Sequence, residues 1–143
     1  MSESGQELSN DDHVSLSRLV TELVWRIDHG GAGTAWELFT QDGEMALGPQ
    51  VMVGHDALRA WAAARGGIDR QTKHVCTNMR FTPAGPDRAE GTTILTVYLH
   101  DGPGSGLSVA HTVGEYHDTF VREGGTWRFR SRNTVPQFSA PAQ

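Results

Sequence analysis

Cysteine is nearly absent from this sequence; Cys76 stands alone. A single cysteine excludes an internal disulfide framework and fits a reducing compartment. Basic blocks are missing as well. The 12 Lys and Arg residues are scattered against 17 Asp and Glu, leaving a formal charge of −5, and this balance argues against nucleic acid as a partner. Neither CxxC nor HxxxH spacing occurs, so the 7 histidines predict no metal site. No apolar run reaches membrane-spanning length and no secretion signal is visible, which makes a cytoplasmic protein without membrane contact the expectation. Repeats and internal linkers are also lacking. Within 143 residues, 37% of them hydrophobic, one domain around one core is expected.

What is present divides into helices first and strands later, the α+β pattern. Residues 1–10 are polar and read as a loose, disordered tail, residues 11–137 as the single domain, and 138–143 as a second loose tail. Leu16, Leu19, Val20, Leu23 and Ile27 form a helical stripe that Asn10 or Asp11 caps. Gly30 and Gly31 end that helix just after Asp28. Asp28 thus lies at the negative end of the helix dipole, which is unfavourable unless solvent or a donor across a pocket compensates. A short helix over 34–40 and two short strands around Gly48-Pro49 follow, then an alanine-rich helix over 55–64. Four long strands are expected at 71–82, 88–100, 107–122 and 126–137, joined by Gly-rich turns into an antiparallel meander.

The strand TKHVCTNMRFT, 72–82, organises the rest. Alternation sends residues 72, 74, 76 and 78 to one face and 75, 79 and 81 to the other. His74, Cys76 and Asn78 therefore share a face, and if the helices cover it, that face lines a cavity into which Asp28 reaches. Cys76 reads as a small buried residue rather than a nucleophile. His111, Glu115 and His117 fall together on one face of a later strand, read as the outer one.

These segments, taken in order, resemble the SnoaL-like group of the nuclear transport factor 2-like superfamily over residues 12–135. The resemblance rests on the first helix ending in Asp28, on AWELFTQDGEM (35–45), on Gly54-His55-Asp56-Ala57-Leu58, on His74-xxx-Asn78, and on GEYHDTFVREGGTWRFRSRN (114–133). It implies a cone-shaped α+β barrel, with three N-terminal helices packed on a strongly curved, mostly antiparallel sheet. In the dehydratase and dehydrochlorinase branch an aspartate ending the first helix pairs with a strand histidine, positions matched by Asp28 and His74. Arg132 matches an arginine of the dehydrochlorinase, and His100 lies close to a second histidine of scytalone dehydratase. The chain departs from the pattern at Ile27 and Leu23, where relatives carry tyrosine. A ketosteroid-isomerase-type aspartate would fall near His117, which does not support that mechanism.

The resemblance implies a cofactor-independent lyase or isomerase, dehydratase-like, acting on a small apolar or polyketide-like molecule. His74 is the expected base, Asp28 its orienting carboxylate, and Arg132 the donor for developing negative charge. Asn78, His100, Trp25, Trp36, Trp61 and Tyr98 are expected to bind substrate. The other reading is a non-catalytic module for a hydrophobic ligand, or an accessory protein of the same fold, and contact between Asp28 and His74 is what separates the two. Epoxide hydrolysis would need a second carboxylate, which Asp28 alone does not supply. Apolar residues on the outer sheet face predict a homodimer or homotrimer.

Overall fold

The computed structural model describes residues 7–141. Helix α1 spans Asn10–Asp28 and buries Leu16, Leu19, Val20 and Leu23 of the stripe read from the sequence, together with Val24, while Ile27 is only partly buried. Its cap is Ser9, not Asn10 or Asp11. The Ser9 hydroxyl accepts from the Asp12 amide and the Asp12 carboxylate accepts from the Ser9 amide, both at 3.0 Å, a reciprocal capping box. The end of the expected loose tail is thus anchored to the helix, while residues 1–6 lie outside the described residues.

A 3₁₀ helix, Ala32–Leu38, replaces the helix expected at 34–40. Phe39 already has extended backbone and begins β1, Phe39–Leu47. Gly48, with φ +59°, turns the chain into β2, Gln50–Val53. Helix α2, His55–Gly66, buries Leu58 and Ala62. The long strands are β3 (Arg70–Pro83), β4 (Arg88–Asp101), β5 (Thr112–Glu123) and β6 (Thr126–Ser139). Residues 107–111, expected in a strand, precede β5 and are not part of it. At the other end β6 runs beyond the expected domain limit, because Phe138 and Ser139 pair with Val113 and Thr112; residues 142–143 are outside the described residues.

The strands form one sheet in the order β2-β1-β6-β5-β4-β3. All neighbours are antiparallel except β1 and β6, which run parallel. The sheet is curved but open, with β2 and β3 as its edges, so the expected barrel does not close. Bulges help to bend it. In β3, Thr77 faces Ile94 but Arg80 faces Thr92, which leaves one extra residue in β3. Asn78, φ +52°, takes up that extra residue in the left-handed region that asparagine tolerates better than most residues.

Helix α1 lies across the inner face. At one end the concavity is filled by Phe39, Phe120 and Phe129, each at most 2% exposed, with ring centroids 5.1 Å apart from Phe129 to either neighbour. Gly91 makes room there for the edge-on pair of Phe81 and Phe120, since a Cβ at Gly91 would stand 2.7 Å from the Phe81 ring. The opposite end is not filled. No helix among the described residues is long and apolar enough to cross a membrane.

Candidate functional site

The open end of the concavity is a cavity of about 330 Å³. Its apolar wall comes from Leu23 and Ile27 of α1, Met45 and Leu47 of β1, Trp61 of α2, and Val97 and Leu99 of β4. Polar groups enter it from the sheet, His74, Thr72 and Arg70 on β3 and Tyr116, Arg132 and Thr134 on β5 and β6, and from Gln50 of β2 and Arg65 of α2.

On the β3 side the strand pleat turns Thr72, His74 and Cys76 inward, and the last turn of α1 brings Asp28 over them. His74 Nδ1 lies 2.6 Å from Asp28 Oδ1. The His74 amide donates to Asp28 Oδ2 at 2.8 Å and the Thr72 hydroxyl donates to Oδ1 at 2.7 Å. These donors supply the compensation that a carboxylate at a helix C-terminus needs. Burial pushes the Asp28 carboxyl up, but the hydrogen bonds from the His74 ring and amide, with that from Thr72, outweigh it and hold the group below its ordinary value. An ionised carboxylate only accepts, so with a neutral ring the proton in the short contact sits on Nδ1. Nε2 then carries a lone pair and makes no hydrogen bond among the described residues. The two side chains are 14% and 6% exposed, so the pair is sheltered yet the ring reaches the cavity.

On the opposite side Arg132 is 2% exposed and bound through two nitrogens to Asp118, Nε to Oδ1 at 2.8 Å and Nη2 to Oδ2 at 2.9 Å. Its guanidinium carbon lies 3.5 Å from the centre of the Tyr116 ring, a cation–π stack. Burial opposes the Arg132 charge, but Asp118 overrides it and raises the group above its ordinary value. Arg132 Nη1 makes no hydrogen bond among the described residues. The Thr134 hydroxyl is buried without a partner, an unusual state for a buried polar group. Cys76 sits between the two sides with its thiol pushed up to about 11 by burial, which leaves it protonated near neutrality and a poor nucleophile.

The structure therefore gathers His74, Arg132 and Trp61 at one cavity, with Asp28 bound to His74 from behind and lining the neighbouring depression. The remaining expected site residues are elsewhere, each for a local reason. Asn78 is the bulge residue; it is exposed, and Met79 and Phe81 turn inward after it. Tyr98 and His100 alternate with Val97 and Leu99 and so leave the inner face. They line a neighbouring depression of about 280 Å³ that reaches Asp28 but not His74, and His100 Nε2 is 3.0 Å from the Pro103 carbonyl. Trp25 is 58% exposed and stacks on His29 with ring centres 3.9 Å apart. Trp36 packs under the Arg59 guanidinium, 4.0 Å from its ring centre, and beside His55. Glu115 and His117 lie on the outer face, joined at 2.9 Å.

Sequence reasoning did not single out Asp118, Thr72 or Thr134. The signal for Asp118 was the inward set Gly114, Tyr116, Asp118 and Phe120 on β5, all buried, in which the carboxylate is the one charged group and so demands a partner.

A family model described as a SnoaL-like domain matches residues 9–133. A comparison with curated proteins returns no match. Among solved structures, the chain is similar to a Novosphingobium aromaticivorans protein named for scytalone dehydratase, at 19% identity over 92% of this chain and 88% of that one, TM-score 0.80. It is also similar to Aln2 from a Streptomyces species, at 25% identity over 90% and 92%, TM-score 0.76. An NTF2-like protein with a cystatin-like fold, also from N. aromaticivorans, matches at 24% identity over 88% and 82%, TM-score 0.74. The fold is thus the cystatin-like, NTF2-like one.

Proposed function

The chain belongs to the SnoaL-like domain family, and from that premise we propose that it is a cofactor-independent lyase or isomerase, dehydratase-like, for a small, largely apolar or polyketide-like molecule. The observation that carries the reading is the 2.6 Å contact between Asp28 and His74 on the wall of an open cavity. Asp28 fixes the ring tautomer and would stabilise the imidazolium, as an orienting carboxylate does for a general base. His74 Nε2 takes a proton from carbon next to a carbonyl, and the C–H electron pair moves toward the carbonyl oxygen. Arg132 Nη1 donates to the developing negative charge, with its position set by Asp118 and Tyr116. Elimination then expels hydroxide from the neighbouring carbon, and the imidazolium returns its proton to make water. Isomerisation instead returns the proton to another carbon.

Asp118 supplies the second carboxylate that an epoxide hydrolase would need. Both its oxygens are engaged by Arg132, which supports His74 rather than Asp118 as the base. The non-catalytic binding module is favoured by the apolar lining alone. The reading also keeps a homo-oligomer, supported by Val75 at 44% and Ile94 at 37% exposure on the outer sheet face; light scattering in solution tests it, and a monomer counts against it.

The direct test of the base is deuterium uptake from D2O, followed by NMR, into a panel of small cyclic ketones. Wild-type protein should catalyse exchange next to the carbonyl, and His74→Ala should lose about 10²–10⁴-fold. Ligand binding without exchange in the wild type would leave the binding module standing.

A further inference from the structure

Three arginines line the cavity, and they are not equivalent. Arg132 is neutralised by Asp118 at 2.8 Å. Arg70 is held by Asp101 at 2.6 Å through Nε and 2.9 Å through Nη2. Arg65, on the last turn of α2, has no carboxylate within 4.0 Å among the described residues; its one contact is a long one, Nη2 to the Thr72 hydroxyl at 3.5 Å. Gln50, Ala64 and Ile68 are lining residues that are also exposed, which places the mouth of the cavity beside Arg65 and Arg70. Burial, and then the neighbouring Arg70 charge, lower Arg65 from its ordinary value against the weaker pull of Asp101 and Asp28, as expected for a cation that is partly desolvated beside a like charge.

A guanidinium carries five N–H donors in a planar fork. At Arg65 only one is engaged, weakly, and Thr72 spends its own proton on Asp28. The arginine is thereby tethered over the mouth with most of its donors free. We propose that Arg65 recognises a carboxylate on the ligand, so that the substrate class is a small apolar acid: its hydrocarbon body lies against Leu23, Trp61 and Val97, and its acid group is held at the mouth. A carboxylate matches the fork two atoms to two and relieves the repulsion between Arg65 and Arg70. The proposal rests on the cavity being the substrate site, as in the proposed function, but not on His74 acting as a base.

The test is calorimetric titration with 2-naphthoate and its neutral counterpart 2-naphthamide. Wild-type protein should bind the acid about tenfold or more tightly than the amide, as a charge-assisted pair predicts, and added KCl should shrink the gap. Arg65→Gln should erase the preference by lowering acid affinity to the level of the amide. If Arg65→Gln does not fold, Arg65→Lys carries the test: it keeps the charge without the fork, and acid affinity should fall severalfold. His74→Ala should keep the acid preference while losing proton exchange, which separates failure of the base from failure of the anion site. Equal affinity for acid and amide, a preference that survives Arg65→Gln, an unchanged acid affinity in Arg65→Lys, or no binding of either probe overturns the assignment.

Discussion

Two carboxylate–nitrogen pairs face each other across the cavity, and they are built for opposite ends. Asp118 and Arg132 share two parallel hydrogen bonds, are 1% and 2% exposed, and sit under an aromatic ring. Asp28 and His74 share a single ring contact, with one ring nitrogen left unbonded. In the first pair both carboxylate oxygens are committed to a group that does not release its proton near neutrality. In the second the nitrogen partner keeps a free ring nitrogen that can take up a proton. Burial of an ion pair fixes a charge in place only when the base is arginine; with histidine the same kind of contact leaves a proton acceptor.

The largest expected effect separates the pairs by stability. Asp118→Ala should cost about 3–5 kcal/mol, because it leaves the Arg132 cation buried without a partner. Urea unfolding measures this. Replacing both partners, Asp118→Leu with Arg132→Met, should cost far less than the single change; an equal cost would mean that the arginine is not desolvated as described. Asp28→Asn should cost less, about 1.5–3 kcal/mol near neutral pH, the range for hydrogen bonds to a charged group. Because the Asp28 carboxyl lies below its ordinary 3.8 in the folded protein, its charged form adds stability above that pH and the contribution disappears as pH falls through the lower folded value. Wild type and Asp28→Asn should therefore converge in acid, and a gap that persists there would show that the loss is one of shape, not of charge.

The face on which the dyad sits depends on the β3 bulge, and this gives a smaller effect. Asn78→Val should cost roughly 1–2 kcal/mol for forcing a β-branched residue to positive φ, whereas Asn78→Gly should be close to neutral. If valine is tolerated as well as glycine, the bulge is not what turns Met79 and Phe81 inward. Smallest of all, Trp25→Ala should shift stability by no more than about 0.5 kcal/mol and leave ligand affinity unchanged, while Trp61→Ala weakens binding. Equal losses from the two would place Trp25 at the site after all.

These residues also mark where sequence alone was informative. The helical stripe of α1, the meander of long strands and the inward triad Thr72, His74 and Cys76 follow from periodicity, whereas the contact between Asp28 and His74 was marked by the resemblance. Periodicity fails at Asn78 because a bulge adds one residue, and one residue exchanges the two faces of a strand. The same sensitivity removes Tyr98 and His100, since pairing decides whether odd or even positions of β4 point inward. Trp25 adjoins the buried Val24 on α1, but a 3.6-residue period carries it round to solvent. Arg132 was marked by resemblance, yet its ion pair depends on β5 and β6 lying side by side, which no local pattern in either strand encodes.

The parallel pairing of β1 with β6 has a further consequence, for the order of assembly. Phe39 aligns with Phe129, and Met45 with Arg132, so the first strand of the sheet finds its main neighbour only near the far end of the chain. Closing so long a loop costs entropy before any contact repays it, and non-local pairings of this kind slow folding. A growing or refolding chain can build the β3-β4-β5 meander early, but it has no cavity until β6 inserts between β5 and β1. That last insertion delivers Arg132 and Thr134, so the ability to hold a ligand should appear in refolding only with the final native packing, not with the first strands.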